Sequence, residues 1–151
     1  MRGERVNMTG RLDERTVEIS LPNKIGYERI AMESSASFAR IVGFASERID
    51  DLKTAVAEAC LNAMEHGNKG RPEARVILTM DFKDDTLTVF VKDEGDGIST
   101  LPDYAAIGGK IEKLEAPKGL GTYLIKQLVD HVEFNEMTKE GHAVKMTMKK
   151  K

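Results

Sequence analysis

The chain has a single cysteine, Cys60, among its 151 residues. One thiol excludes an internal disulfide framework and any multi-cysteine zinc site. No apolar run approaches 18 residues and no signal peptide opens the chain, so the expectation is a soluble, cytoplasmic protein with no membrane contact. Neither sign of charge dominates, with 23 Lys+Arg against 25 Asp+Glu. That balance gives no electrostatic argument for direct nucleic-acid binding, and the closing "MTMKKK" reads as a solvated tail. Internal repeats and low-complexity tracts are absent. The usual phosphate fingerprints are missing too: Gly108-Gly109-Lys110 lacks the preceding glycine of a P-loop, and nothing reads G-x-G-x-x-G.

What remains is an ordinary globular composition, 40% hydrophobic and 32% charged, long enough for one core. Residues 1–15 are polar with little periodicity and read as a flexible arm, leaving one domain over residues 16–151. Val17, Ile19 and Leu21 alternate with polar neighbours, the period of a half-buried strand ended by Pro22. Residues 25–42 carry Ile30, Phe38, Ile41 and Val42 near helical spacing, with Gly43 as a stop. Ser46 is a good N-cap for a second helix, whose inner stripe is Ile49, Leu52, Val56, Ala59, Cys60 and Ala63. "ARVILTMDF" and "TLTVFVKD" form a hairpin around Asp84 and Asp85. Residues 98–118 read as a long connection interrupted by Gly108, Gly109 and Pro117. Then follow a helix with Leu120, Leu124, Ile125 and Leu128 on one side, and a second hairpin around residues 138–141. The order β-α-α-β-β-α-β-β predicts an α+β, two-layer sandwich with helices on one face of a mostly antiparallel sheet.

Three stretches resist a purely structural account. In "EACLNAMEHGN", Glu58 and Asn62 stand four apart and share a helical face; alone, such a pair is usually a solvated one. Small neighbours Ala57, Ala59 and Ala63 would let something approach that face closely. His66 and Gly67 follow, and a helix-ending histidine is as readily a backbone partner as a ligand. In "VFVKDEGDGI", a strand runs into Asp93, then Gly95 and Gly97. One glycine is a turn; Asp-x-Gly-x-Gly after a buried strand leaves a carboxylate that needs a donor, such as an exocyclic amine. In "KGLGTYLIKQLVD", Gly119 and Gly121 immediately precede an apolar helix, a join that also suits an anion.

Taken in order, these three motifs resemble the GHKL ATPases, the superfamily of gyrase-type topoisomerases, a heat-shock chaperone, sensor histidine kinases and mismatch-repair proteins. The stretch "GFASERIDDLKTAVAEACLNAMEHGN" is similar to the small anti-sigma-factor serine/threonine kinases of bacterial stress and sporulation switches. The resemblance covers residues 16–149. It implies the Bergerat ATP-binding fold, with ATP and Mg²⁺ as cofactors. It implies Glu58 as general base, Asn62 as an oxygen ligand of Mg²⁺ and Asp93 as acceptor for the adenine amine. Gly95 and Gly97 would wall the adenine, Gly119, Leu120, Gly121 and Thr122 would offer backbone donors to the phosphates, and residues 98–118 would form a lid. At the last hairpin the family often reads Gly-Thr-x-Val with a hydroxyl near the adenine; here Gly141-His142-Ala143-Val144 stands instead.

The function so implied is a serine/threonine kinase that binds a sigma factor and phosphorylates a STAS-domain anti-anti-sigma protein, often as a homodimer. A switch kinase without sigma sequestration and a nucleotide-gated binding module with little turnover stay open. Glu58 speaks against the second, because a pure binder needs no base. A detached histidine-kinase domain is disfavoured, since no phosphoacceptor helix pair precedes the motifs.

Overall fold

A computed structural model of the chain describes residues 15–95, 116–138 and 141–150. The expected arm, apart from Arg15, and most of the expected lid, with Gly97, lie outside the described residues.

Among the described residues are five strands and three α-helices: β1 (Val17–Pro22), α1 (Glu28–Ile41), α2 (Ser46–Asn62), β2 (Arg75–Lys83), β3 (Thr86–Asp93), α3 (Ala116–Leu128), β4 (His131–Thr138) and β5 (Gly141–Lys149). The strands form one antiparallel sheet in the order β1-β2-β3-β5-β4. This is the α+β sandwich that the element order predicts. The β2–β3 hairpin turns on Asp84 and Asp85, both with positive φ (54° and 58°), as a two-residue turn matched to strand twist requires.

Alternation assigns the sheet's two faces. Val76, Leu78 and Met80 on β2, Leu87, Val89 and Val91 on β3, and Met146 and Met148 on β5 are all buried, and the register sets them side by side. Burying each such side chain is worth about 1.5–3 kcal/mol over leaving it exposed. The same alternation carries Asp93 to the core face at the end of β3, where the residue is only 4% exposed.

The helices cover that face, α1 against α2 and α2 against α3. The α2 stripe is buried as its sequence pattern predicts, from Ile49 to Ala63. Burial pushes the Cys60 thiol up to about 12, with the Glu28 charge adding, so it is protonated core.

The α1 stripe is displaced from expectation. Its buried residues are Ala31, Ser35, Ala36 and Ala39, whereas Ile30 and Ile41 are exposed. Small side chains let two helices approach closely, and that gain outweighs the bulk of Ile30 and Ile41. On α3, Ile125 is buried and Leu128 half-buried, but Leu124 faces outward.

A polar lock ties the layers together. Arg48 on α2 bonds the Asp130 carboxylate at 2.9 Å, and the Lys149 N–H of β5 donates to it at 2.7 Å. Burial alone would raise the Asp130 pKa. The Lys149 N–H and the Arg48 bond and charge outweigh it and hold the carboxyl below its ordinary value.

Candidate nucleotide site

Helix α2 does not stop cleanly. After Asn62 it widens into a π-helical turn, Ala63–Gly67, the kind of irregularity found often at functional sites. Glu58 and Asn62 sit on the last turns before it, both half-buried. Nine residues on, Gly67 closes the turn against Asp93. At 1.5 Å of rise per residue, the two ends of this segment are roughly 13 Å apart. Glu58 is thus at one end of this segment, Asn62 lies between, and the other end, Gly67, meets the buried Asp93 carboxylate of β3.

At the Asp93 end, backbone forms the walls. A Cβ added at Gly67 would collide with Asp93 Oδ2, and one at Gly141 would stand 2.8 Å from Oδ1. Side chains at these positions would fill the space the carboxylate uses. The carboxylate accepts the His142 N–H at 3.1 Å, and the His142 ring Nδ1 lies 3.1 Å from Oδ1 and 3.2 Å from Oδ2. The hydroxyl expected of the family at position 142 is therefore replaced by an imidazole that contacts Asp93 directly.

Asn68 organises the loop that follows β3, a role the sequence reading does not assign. It is fully buried. Its Oδ1 accepts the N–H groups of Glu94 (2.8 Å) and Gly95 (3.0 Å), while its Nδ2 donates to the Arg75 carbonyl (2.9 Å) and Asn23 Oδ1 (3.0 Å). Asn23 in turn donates to the Arg71 carbonyl at 3.0 Å. One amide side chain satisfies two loop donors and anchors them to β2 and the loop after β1, so Gly95 is held beside Asp93 by Asn68. The signal was present in the sequence: an asparagine directly after the helix-ending His66-Gly67 has both donor and acceptor capacity for such a loop.

At the other end, the glycine-rich stretch is placed differently from expectation. Gly119 and Gly121 lie within α3, which begins at Ala116. Pro117 suits a first turn, where its missing N–H costs nothing, so it extends the helix rather than interrupting it. From Leu120 onward, including Gly121 and Thr122, backbone donors serve the helix itself. Gly121 is nevertheless brought to Glu58: a Cβ there would stand 2.8 Å from Glu58 Cδ. Glu58, Asn62 and Gly121 therefore gather at one end, and Asp93, Gly95 and Gly141 at the other. His66 is exposed, with Nε2 3.9 Å from Glu65.

The donor set fits a magnesium nucleotide. Asn62 offers a neutral amide oxygen, a hard ligand suited to an ion that keeps most of its waters. Asp93 offers a buried acceptor-only group suited to an amine.

Residues 21–148 match the model of the histidine kinase-like ATPase domain. The serine-protein kinase RsbW of Bacillus cereus is 30% identical over 139 residues, covering 87% of this chain and 82% of that protein. RsbW of Listeria innocua is 32% identical over 135 residues, covering 87% and 85%. Among solved structures, the RsbU and RsbW domains of a Mycobacterium tuberculosis protein superpose with a TM-score of 0.66 at 17% identity, over 93% of this chain and 34% of that one. The SiaB–SiaC complex of Pseudomonas aeruginosa gives 0.62 at 14%, over 89% and 90%. Those two likenesses bear on the fold; the family rests on the sequence matches. The chain belongs to the histidine kinase-like ATPases, in the ATP-using serine-protein kinase family of RsbW.

Proposed function

We propose that the protein is a partner-switching kinase and anti-sigma factor: it binds a sigma factor and phosphorylates a serine of a STAS-domain antagonist, using ATP and Mg²⁺. The observation that carries this reading is that one helical segment bears Glu58 and Asn62 a turn apart and ends at Gly67, packed against Asp93.

Each residue then has a physical task. Asp93 accepts a hydrogen bond from the adenine amine, which favours adenine over guanine because guanine presents a carbonyl oxygen there. Gly95 and Gly97 form the wall beside the base. Asn62 supplies one oxygen to Mg²⁺, which when bound draws charge from the phosphate oxygens. Glu58 takes the proton of the attacking serine hydroxyl. The serine Oγ bonds the γ-phosphorus as the bond to the ADP oxygen breaks, so Glu58 ends protonated and ADP leaves. The reading also assigns the backbone donors of Gly119, Leu120, Gly121 and Thr122 to the phosphates, which asks the first turns of α3 to release donors that here serve the helix.

The partners follow from the family. RsbW relatives are named serine-protein kinases, and the SiaB neighbour was solved as a complex with SiaC. Homodimerisation through the β1 edge and α1 is part of the proposal. Val17, Ile30 and Ile41 expose apolar surface there, Ile41 by 80%. Among the described residues no helix is long and apolar enough to cross a membrane, and action in the cytoplasm is proposed.

The test is a pull-down from bacterial lysate with and without ATP, paired with phosphorylation of STAS-domain proteins. Nucleotide-dependent capture of a sigma factor together with serine phosphorylation supports the whole reading. Phosphorylation without capture leaves a kinase that sequesters no sigma factor.

A further inference from the structure

β3 and β5 pair antiparallel with Lys92 opposite Ala143, so the next step of the same register brings His142 opposite Asp93. Residues directly opposite one another project their side chains to the same face of the sheet. Asp93 already points to the core face as the continuation of Leu87, Val89 and Val91. A histidine at position 142 is thus delivered to the Asp93 carboxylate by strand register alone.

The contact is close and two-pronged. The His142 N–H donates to Oδ1 at 3.1 Å, and ring Nδ1 sits 3.1 Å and 3.2 Å from the two carboxylate oxygens. An ionised carboxylate only accepts, so Nδ1 carries the proton and donates across both oxygens. Backbone closes on the carboxylate from two sides, Gly67 against Oδ2 and Gly141 against Oδ1, and the buried Val76 stands opposite Asp93 on β2. Backbone walls packed by a strand and a helix end cannot step aside. The imidazole can, because its side chain is 21% exposed and swings on two torsions, whereas the Asp93 side chain is 6% exposed. His142 is thus a movable side of the Asp93 cage.

We propose that His142 sets the affinity and base selectivity of the site: its imidazole holds the acceptor face of Asp93 that a purine amine needs, and the amine binds by displacing the ring. This rests on the reading of Asp93 as the adenine acceptor. A threonine or alanine at 142 cannot straddle both oxygens, so the amine meets no competitor. A base without the exocyclic amine has nothing to exchange for the ring and gains nothing from its removal.

The experiment compares wild type, His142→Thr, His142→Ala and Asp93→Asn by calorimetric titration with magnesium ATP and magnesium inosine triphosphate, which carries a carbonyl in place of the amine. His142→Thr and His142→Ala are expected to bind ATP about tenfold more tightly, as loss of a competing hydrogen bond to a charged group implies, with inosine triphosphate unchanged. Unchanged or weaker ATP binding in both variants, while Asp93→Asn still loses affinity, overturns the inference and spares the adenine reading. Full ATP affinity in Asp93→Asn overturns that reading instead. In the wild type, the imidazole nitrogen resonances of His142 provide a measurement free of folding effects. Saturating ATP should remove the Nδ1–H to carboxylate signature; a signature that persists contradicts displacement.

Discussion

The carboxylate of Glu58 on α2 lies against the backbone of Gly121 on α3, where any side chain would crowd it. The side chain of Glu58 is long and can yield, so Gly121→Ala should displace the carboxylate rather than unfold the protein. The expected result is a melting temperature close to wild type and a phosphoryl-transfer rate lower by tenfold or more, on the order of what a misplaced catalytic group costs. Thermal melts and single-turnover transfer assays together check it.

Asn68 ties together the Glu94 and Gly95 N–H groups, the Arg75 carbonyl and Asn23. Asn68→Ala leaves several of these buried groups without partners, at about 1–3 kcal/mol for each one that water cannot reach. The prediction is a loss of about 2–4 kcal/mol in urea denaturation, together with weaker ATP binding because Gly95 is no longer held beside Asp93. A variant as stable as wild type would remove Asn68 from this role.

Asp93→Asn should weaken ATP binding by about 10- to 100-fold, the range of a hydrogen bond to a charged acceptor. Isothermal titration reads it directly, and circular dichroism confirms that the fold persists.

The Asp130 lock predicts a pH dependence. Its carboxyl is held below the ordinary value of 3.8 in the folded protein, so its contribution is fully present above that value and is lost as pH falls through the lowered one. The group is partly exposed, and solvent screening keeps the effect small. Asp130→Asn should cost about 0.5–1 kcal/mol at pH 7 and show no difference from wild type once the carboxyl is protonated. Denaturation at both pH values tests the sign.

The sheet, the helix order and the α2 stripe were legible because alternation and helical periodicity report burial directly. α1 departs from its periodicity at Ile30 and Ile41, because periodicity weights large apolar side chains whereas the helix packs through alanines. α3 starts earlier than the pattern predicts, because Pro117 reads as a breaker in sequence but lies in a first turn here. Glu58, Asn62 and Asp93 stood out as polar residues in apolar settings. His142 stands out in the sequence only as a departure from the family pattern, and Asn68 only as an amide after a helix end. Their contacts depend on partners far along the chain, Glu94 and Gly95 for Asn68 and Asp93 across a strand register for His142. Such roles become visible only when strands are paired.

Glu58 acts in this proposal as the base of a serine kinase whose nucleotide is held by other residues. Glu58→Gln keeps the size and hydrogen-bonding capacity of the side chain and removes its basicity. The measurement is ATP affinity by calorimetry beside phosphate transfer to a STAS-domain serine. Affinity is expected within about twofold of wild type, with transfer reduced by about 10²–10⁴. Transfer at the wild-type rate would contradict that role for Glu58.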